Sequence, residues 1–344
     1  MKISLISQTR HYLIWTLFIL GGIALSYQIF TSNSPSYNIP PEVQSSPGWH
    51  KQSLQYNQKE RVFRYYVPEN LPDEAPTMAL LHGGTQSMDT IFNSRTGGTN
   101  EWPQIAEEEQ MVLLVPNGIN PKTNSPTGDN QFWNDCRAPN TVDGPQSTAD
   151  DVGFIMEMKD WVSSHLSTNP QQFYVSGTSN GGMMAYRLAI ERPEEITGIA
   201  TFSAHLPVES ECGPPSTSVP VFMANGTQDP ILPFRGGNAD GRGPFLSAPE
   251  TRDQWVKSRT SNPRYETSSL PDQNSTDESS VICEDMISED STAPVRFCRI
   301  EGGGHTVPSI KHEIPRWVQG IVGPQNRDLE GARLAWKFLQ SQKQ

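Results

Sequence analysis

The chain has 344 residues and a formal net charge of −12, from 26 Lys and Arg against 38 Asp and Glu. A chain of this length can bury a substantial core within one α/β domain. Its acidity argues against nucleic-acid binding, because proteins that bind nucleic acids concentrate basic residues on one surface.

The N-terminal residues predict export. A basic start is followed by an apolar run over residues 12–25, and small residues at Ala24 and Ser26 fit the cleavage site of a secretory signal peptide. We therefore expect residues 1–26 to be removed, giving a secreted or periplasmic protein. The alternative is an uncleaved anchor over residues 12–30, which would tether the protein to the outer face of the inner membrane.

The rest of the chain is interpreted as a lead-in and one folded domain. Residues 27–47 are rich in Ser, Pro and Asn, which favours a flexible segment. Residues 48–344 then form a single domain, in which short apolar runs predict strands. These strands cover residues 61–67, 78–81, 111–115, 173–175, 199–202, 219–224 and 295–300.

Helical patterns lie between these strands. The clearest covers Val152–Leu166, where apolar residues recur on one face, and another closes the chain over residues 329–340. The alternation predicts an α/β fold with a doubly wound, mostly parallel sheet and helices on both faces. The polar stretch Ser258–Ser280 has little periodicity, so we expect an insertion loop there.

The segment Gly177–Gly181 (GTSNG) lies where a strand should become a helix. It follows aromatic and β-branched residues and precedes good helix formers. A serine held on such a turn between small residues is the nucleophile elbow of α/β-hydrolases, so Ser179 is the predicted nucleophile of an α/β-hydrolase fold. The glycines are needed because a Cβ there would collide with the neighbouring strand or helix.

A serine hydroxyl needs a base, and in this fold the acid and then the histidine follow the serine along the chain. His305 lies in a glycine-rich loop directly after a strand and is the predicted base. His205 precedes most acid candidates, and His312 lies in a charged run, so both are less suitable. Asp229 follows a core strand by a tight turn and is the predicted acid that orients the imidazole.

Acyl transfer also needs amide donors for the developing oxyanion. The loop His82–Gln86 (HGGTQ) follows an early strand and matches an HG-type oxyanion loop. We expect the amide of Gly84, or that of Thr85, to act together with the amide of Asn180. His82 has a structural role in this interpretation, its ring bracing the loop.

Four cysteines predict two disulfides in an exported chain. Three pairings are possible. We favour Cys283 with Cys298, which flank a polar turn between two strand-like runs, and this leaves Cys136 with Cys212. The sequence contains no CxxC motif or His–Cys cluster that would indicate a metal site, and we expect no cofactor.

Five motifs between Gly48 and Phe338 resemble those of the polyhydroxybutyrate depolymerase family, whose esterase branch includes feruloyl and acetylxylan esterases. They cover residues 82–86, 150–154, 174–184, 225–229 and 302–306. The resemblance implies a secreted carboxylic-ester hydrolase without a metal, in which the residues assigned above serve as the triad and the oxyanion donors. The chain departs from the family at Val307, where a Trp is frequent, and we expect this change to reshape the substrate rim.

The expected function is therefore hydrolysis of polyhydroxybutyrate-type oligomers or polymers, or of small or phenolic esters. One alternative is feruloyl or acetylxylan esterase activity, and another is hydrolysis of a peptide or thioester bond. The alternative from a different class is a non-catalytic binding protein with the hydrolase fold. Trp133 and Val307 are candidate residues of the substrate rim. The expected partner is the ester substrate alone, with membrane contact only through an uncleaved N-terminus, and we expect a monomer.

Overall fold

A ten-stranded sheet forms the centre of the computed structural model, which describes residues 45–143, 146–215, 218–239, 241–287 and 293–342. The expected signal segment and nearly all of the lead-in lie outside the described residues. The strands of the main sheet are β1 (Gly48–Tyr56), β2 (Lys59–Val67), β3 (Ala75–Leu81), β4 (Val112–Pro116), β5 (Thr168–Thr178), β6 (Gly198–Phe202), β7 (Val221–Gly226), β10 (Arg264–Ser269), β11 (Ser280–Ile287) and β12 (Val295–Glu301). A short hairpin adds β8 (Gly237–Asn238) and β9 (Pro244–Phe245).

The strand order is β1-β2-β4-β3-β5-β6-β7-β12-β11-β10. The six central strands, from β4 to β12 in this order, pair in parallel, and the two strands at each edge pair antiparallel. All seven predicted strands are present. The predicted fold class, a mostly parallel α/β-hydrolase sheet, is therefore confirmed.

Six α-helices connect the strands in the described part of the chain. They are α1 (Trp102–Glu108), α2 (Asp151–Leu166), α3 (Asn180–Glu191), α4 (Ala248–Lys257), α5 (Arg316–Val322) and α6 (Gly331–Gln340). The two predicted helices correspond to α2 and α6. Asp150 caps the N-terminus of α2, because its carboxylate accepts the amide of Gly153 at 2.9 Å and so satisfies one of the unpaired first-turn donors. Among the described residues, no helix is long and apolar enough to cross a bilayer.

Helices cover both faces of the sheet. Successive side chains of a strand point to opposite faces, so neighbouring residues of one strand contact helices on opposite sides. On β5, Tyr174 packs edge-on against Trp336 of α6, with ring centroids 5.2 Å apart. The preceding residue, Phe173, lies on the other face, where Lys159 of α2 sits 5.8 Å from the ring centroid. The serine that follows β5 is therefore supported by two packed layers.

The expectation of an insertion loop over Ser258–Ser280 is wrong, because this stretch contains β10. All six residues of β10 are exposed, so no apolar alternation marks the strand in the sequence. Its order comes from backbone pairing with β11, from Arg264 opposite Ile287 to Ser269 opposite Ile282.

Both expected disulfides are present. Cys283 and Cys298 are directly opposed on β11 and β12, and their bond joins the two strands. Cys136 and Cys212 join two loops that are 76 residues apart in the chain.

Candidate active site

Ser179 lies on the turn between β5 and α3, in a backbone conformation that few side chains adopt. Its φ of 56° and ψ of −124° are strained for any residue with a Cβ. A Cβ built at Gly177 would lie 2.3 Å from the carbonyl oxygen of Gly181, and one at Gly181 would lie 2.1 Å from that of Leu81. Only glycine fits at these two positions, so the packing of α3 against β3 and β5 holds the serine at the tip of the turn.

The carboxylate of Asp229 holds the ring of His305. Asp229 Oδ1 accepts the amides of Ile231 and Leu232, each at 2.8 Å, and Oδ2 lies 2.7 Å from His305 Nδ1. Because a carboxylate only accepts, Nδ1 carries the hydrogen and Nε2 of the neutral ring is left as an acceptor. This is the tautomer that a base acting on a serine hydroxyl requires.

The glycine loop before His305 follows a path that side chains would block. A Cβ at Gly304 would lie 2.4 Å from the carbonyl oxygen of Val322 at the end of α5, and one at Gly226 would lie 2.2 Å from that of Gly303. The amide of His305 donates to the same Val322 oxygen at 2.6 Å. The loops that carry Asp229 and His305 are therefore packed backbone to backbone, and the His305 loop packs in the same way against the end of α5.

The two other histidines that follow Ser179 have different surroundings. His205 is buried, and burial lowers its pKa to about 4. It does not contribute to the cavity that Ser179 and His305 line. His312 Nε2 lies 3.0 Å from a carboxylate oxygen of the buried Glu101, which it helps to satisfy. Neither ring is placed to take a proton from Ser179.

Two backbone amides lie beside the serine. Asn180 is the first residue of α3, where amides lack an intrahelical acceptor. A Cβ built at Gly84 would be 3.7 Å from that of Asn180 and 2.9 Å from the ring of Phe132, so Gly84 and Asn180 are neighbours and a side chain at Gly84 would displace the Phe132 ring. Thr85, the other expected donor, gives its amide hydrogen to the carbonyl of Gln131 at 3.0 Å and is already engaged. The geometry therefore favours Gly84 as the second donor.

The side chain of His82 supports the loop His82–Gln86, which is the predicted oxyanion loop. Its Nδ1 lies 2.8 Å from the carbonyl oxygen of Gly83, and its Nε2 accepts the amide of Gly118 at 3.1 Å. Complete burial lowers the pKa of His82 to about 4, so the ring is neutral and both nitrogens are used. The indole of Trp133 donates to the carbonyl of His82 at 2.8 Å and lies beside the imidazole, with ring centroids 4.7 Å apart and the ring planes tilted by 34°.

A cavity of about 1090 Å³ opens above the serine and is lined by the predicted nucleophile, base and oxyanion residues. Trp133 and Val307, the candidate residues of the substrate rim, both line this cavity, and each side chain is only 2% exposed. The more exposed apolar lining comes from α5, where Trp317 is 59% and Ile321 is 61% exposed. Sequence reasoning missed this helix, although Pro315 and Gly323 mark its ends.

No metal site is apparent in the described ranges, since no three His, Cys, Asp or Glu side chains converge there.

Comparison with known proteins gives one family and several relatives. A family model described as "Putative esterase" matches residues 55–280. The putative esterase NocK of Nocardia uniformis subsp. tsuyamanensis is 27% identical over 279 residues, covering 78% of this chain and 75% of that protein. A probable feruloyl esterase C of Aspergillus niger is 24% identical over 233 residues, covering 67% of this chain and 73% of that protein. A poly(3-hydroxybutyrate) depolymerase of Ralstonia pickettii is 30% identical over 146 residues, but these cover 39% of this chain and 27% of that enzyme.

Proposed function

Because the chain belongs to the putative esterase family and is a carboxylic ester hydrolase, we propose that it cleaves esters through Ser179, His305 and Asp229. The observation that carries the proposal is the 2.7 Å bond between His305 and Asp229, which leaves His305 Nε2 free to accept a proton in the cavity that Ser179 also lines. The strained turn of Ser179 supports the same role, since nucleophile elbows adopt it.

Catalysis proceeds in two acyl-transfer steps. His305 takes the hydroxyl proton of Ser179 as the serine oxygen attacks the ester carbonyl, and Asp229 stabilises the imidazolium that forms. The amides of Gly84 and Asn180 hold the oxyanion of the tetrahedral intermediate. His305 then gives its proton to the departing alcohol, and water releases the acid from the acyl-enzyme by the same route.

We propose a small or oligomeric ester as substrate, of the 3-hydroxybutyrate or phenolic type. The apolar surface of Trp317 and Ile321 on α5 suits an acyl chain or ring at the cavity mouth. Feruloyl esterase activity is the second candidate, favoured by the relative from Aspergillus niger, which covers two thirds of the chain.

Activity measurements test both levels of this proposal. Ser179→Ala should abolish hydrolysis of p-nitrophenyl acetate, whereas Ser275→Ala, which changes an exposed serine outside the cavity, should leave it intact. Unchanged hydrolysis in folded Ser179→Ala protein would overturn the mechanism. A panel of 3-hydroxybutyrate oligomers, methyl ferulate and acetylated xylo-oligosaccharides then ranks the substrates by kcat/KM. Amide and thioester analogues in the panel test the alternative bond types.

We also propose that the protein is exported with cleavage after Ser26. The two disulfides support this, because such bonds persist in oxidising compartments. N-terminal sequencing of the mature protein should begin at Tyr27. A full-length protein that stays with the membrane fraction would instead favour the anchored alternative.

A further inference from the structure

The side chain of Asn180, which follows the proposed nucleophile, is fully bonded within the protein. Its Oδ1 accepts the amide of Trp133 at 2.8 Å, and its Nδ2 donates to the carbonyl of Trp133 at 3.2 Å and to Asp135 Oδ2 at 2.6 Å. Both Asn180 and Asp135 are buried. A side chain fixed at three points holds its own backbone amide in one orientation, and that amide is a proposed oxyanion donor.

Asp135 makes a second contact, an ion pair with the part-buried Arg137. Arg137 Nε donates to both carboxylate oxygens, at 2.9 and 3.0 Å, and Nη2 lies 2.8 Å from Oδ2. A buried carboxylate without such a partner is strongly destabilising, whereas a paired one forms short, strong hydrogen bonds. The charge on Asp135 therefore strengthens its bond to the Asn180 amide group.

The segment that carries Asp135 is anchored independently of Asn180. The amide of Asn134 donates to Asp151 Oδ2 at 2.8 Å, and Arg187 Nη1 donates to the carbonyls of Asn134 and Asp135 at 3.0 and 3.3 Å. The disulfide of Cys136 fixes the next residue. Through its hydrogen bond with Asn180, Asp135 thus fixes the first residue of α3 relative to this anchored segment.

From these contacts we propose that Asp135 is a positioning residue for catalysis, which orients the Asn180 amide toward the oxyanion through the Asn180 side chain. Both acylation and deacylation pass through an oxyanion, so the effect belongs to kcat and not to substrate binding. This inference rests on the proposed function, because it needs Asn180 to serve an oxyanion at Ser179.

A double-mutant cycle tests the proposal with p-nitrophenyl acetate. Asp135→Ala should lower kcat by roughly 10- to 100-fold, less than the 10²–10³ typical for loss of a whole oxyanion donor, and should leave KM within about twofold. Asn180→Ala keeps the backbone amide but removes the bonded side chain. In that background, adding Asp135→Ala should lower kcat by less than about twofold, because the two residues act through one contact.

Controls separate positioning from stability. Asp328→Asn alters another buried carboxylate that accepts backbone amides outside the cavity, and it should lower the melting temperature without changing kcat. Asp135→Asn keeps an oxygen that can accept from Asn180 and should restore part of kcat, and it is the variant to use if Asp135→Ala does not fold. Active sites are counted by end-point labelling with a fluorophosphonate, so that kcat refers to folded enzyme.

The outcomes are distinct. Wild-type kcat in folded Asp135→Ala and Asp135→Asn, or an equal further loss in the Asn180→Ala background, would overturn the positioning role while the wild-type enzyme still hydrolyses the ester. If the proposed function itself fails, hydrolysis persists in Ser179→Ala or is absent from the wild-type protein, and this result is recognised before any Asp135 variant is made.

Discussion

Asp229 makes three hydrogen bonds through one carboxylate, and only one of them reaches the base. In Asp229→Asn the amide oxygen can still accept from Ile231 and Leu232, so the acid loop should keep its fold. The amide nitrogen would then face His305 and favour the wrong imidazole tautomer. We expect kcat to fall on the order of 10⁴-fold. Steady-state kinetics together with a thermal melt will check this. If kcat of the folded variant falls by less than tenfold, Asp229 is not part of the mechanism.

Gly84 tests the oxyanion assignment. A Cβ there would lie 2.9 Å from the ring of Phe132, so Gly84→Ala should displace the loop and lower kcat by about 10²-fold. The double variant with Phe132→Leu relieves the contact and should recover activity in part. Gly213→Ala is the matched control, because nothing lies within 4 Å of the added methyl. Equal kcat in Gly84→Ala and Gly213→Ala would contradict the assignment.

Trp317 and Ile321 test the substrate contact. Trp317→Ala and Ile321→Ala should each raise KM for a p-nitrophenyl ester of a longer acyl chain by about fivefold, since each removes roughly 1 kcal/mol of apolar contact. Ile310→Ala is the control, because this side chain is also exposed, at 44%, but lies outside the cavity lining. If all three variants have the wild-type KM, the acyl group binds elsewhere.

At the level of elements, the sequence predicted the six central strands and β2, and it missed β1 and β10 at the two edges of the main sheet. The central strands read as apolar runs because helices cover both faces. In β1 only Gln52 is fully buried, and in β10 no residue is, so neither edge strand carries a pattern. The order of Ser179, Asp229 and His305 was predictable because each follows a central strand. The proposed positioning role of Asp135 could not be predicted from the sequence, because its contact with Asn180 spans 45 residues and depends on the tertiary fold.

The two disulfides brace different elements, and we expect different consequences. Removing Cys136–Cys212 by paired Ala substitutions should lower the free energy of unfolding by about 4 kcal/mol, and removing Cys283–Cys298 by about 3 kcal/mol, since the first closes the longer loop. Urea unfolding will measure both values. Only the first pair adjoins Asp135, so only its removal should lower kcat. A loss of kcat confined to the Cys283–Cys298 variant would contradict this.

For the whole molecule, two buried histidines link stability to pH. Burial lowers the pKa of His82 and of His205 from 6.5 to about 4. Between pH 6.5 and about 4 the unfolded chain binds protons that the folded protein does not, so the free energy of unfolding falls as the pH is lowered through this window. Each histidine contributes about 3 kcal/mol to the fall.

His205→Gln isolates one of these contributions. The glutamine side chain cannot take up a proton in this range. Between pH 7.5 and pH 4 the wild type should therefore lose about 3 kcal/mol more of its free energy of unfolding than the variant does. Urea unfolding at four pH values will measure the difference. A stability difference that is independent of pH would show that His205 has the same pKa in the folded and unfolded states, which would contradict the prediction.

The central claim is that Ser179 carries the acyl group. Peptide mapping by mass spectrometry after treatment with a fluorophosphonate tests it most directly. The account predicts one adduct, on the peptide that contains Ser179, together with complete loss of esterase activity and no adduct in Ser179→Ala. An adduct on a different residue, or full inhibition of the wild-type enzyme without modification of Ser179, would contradict it.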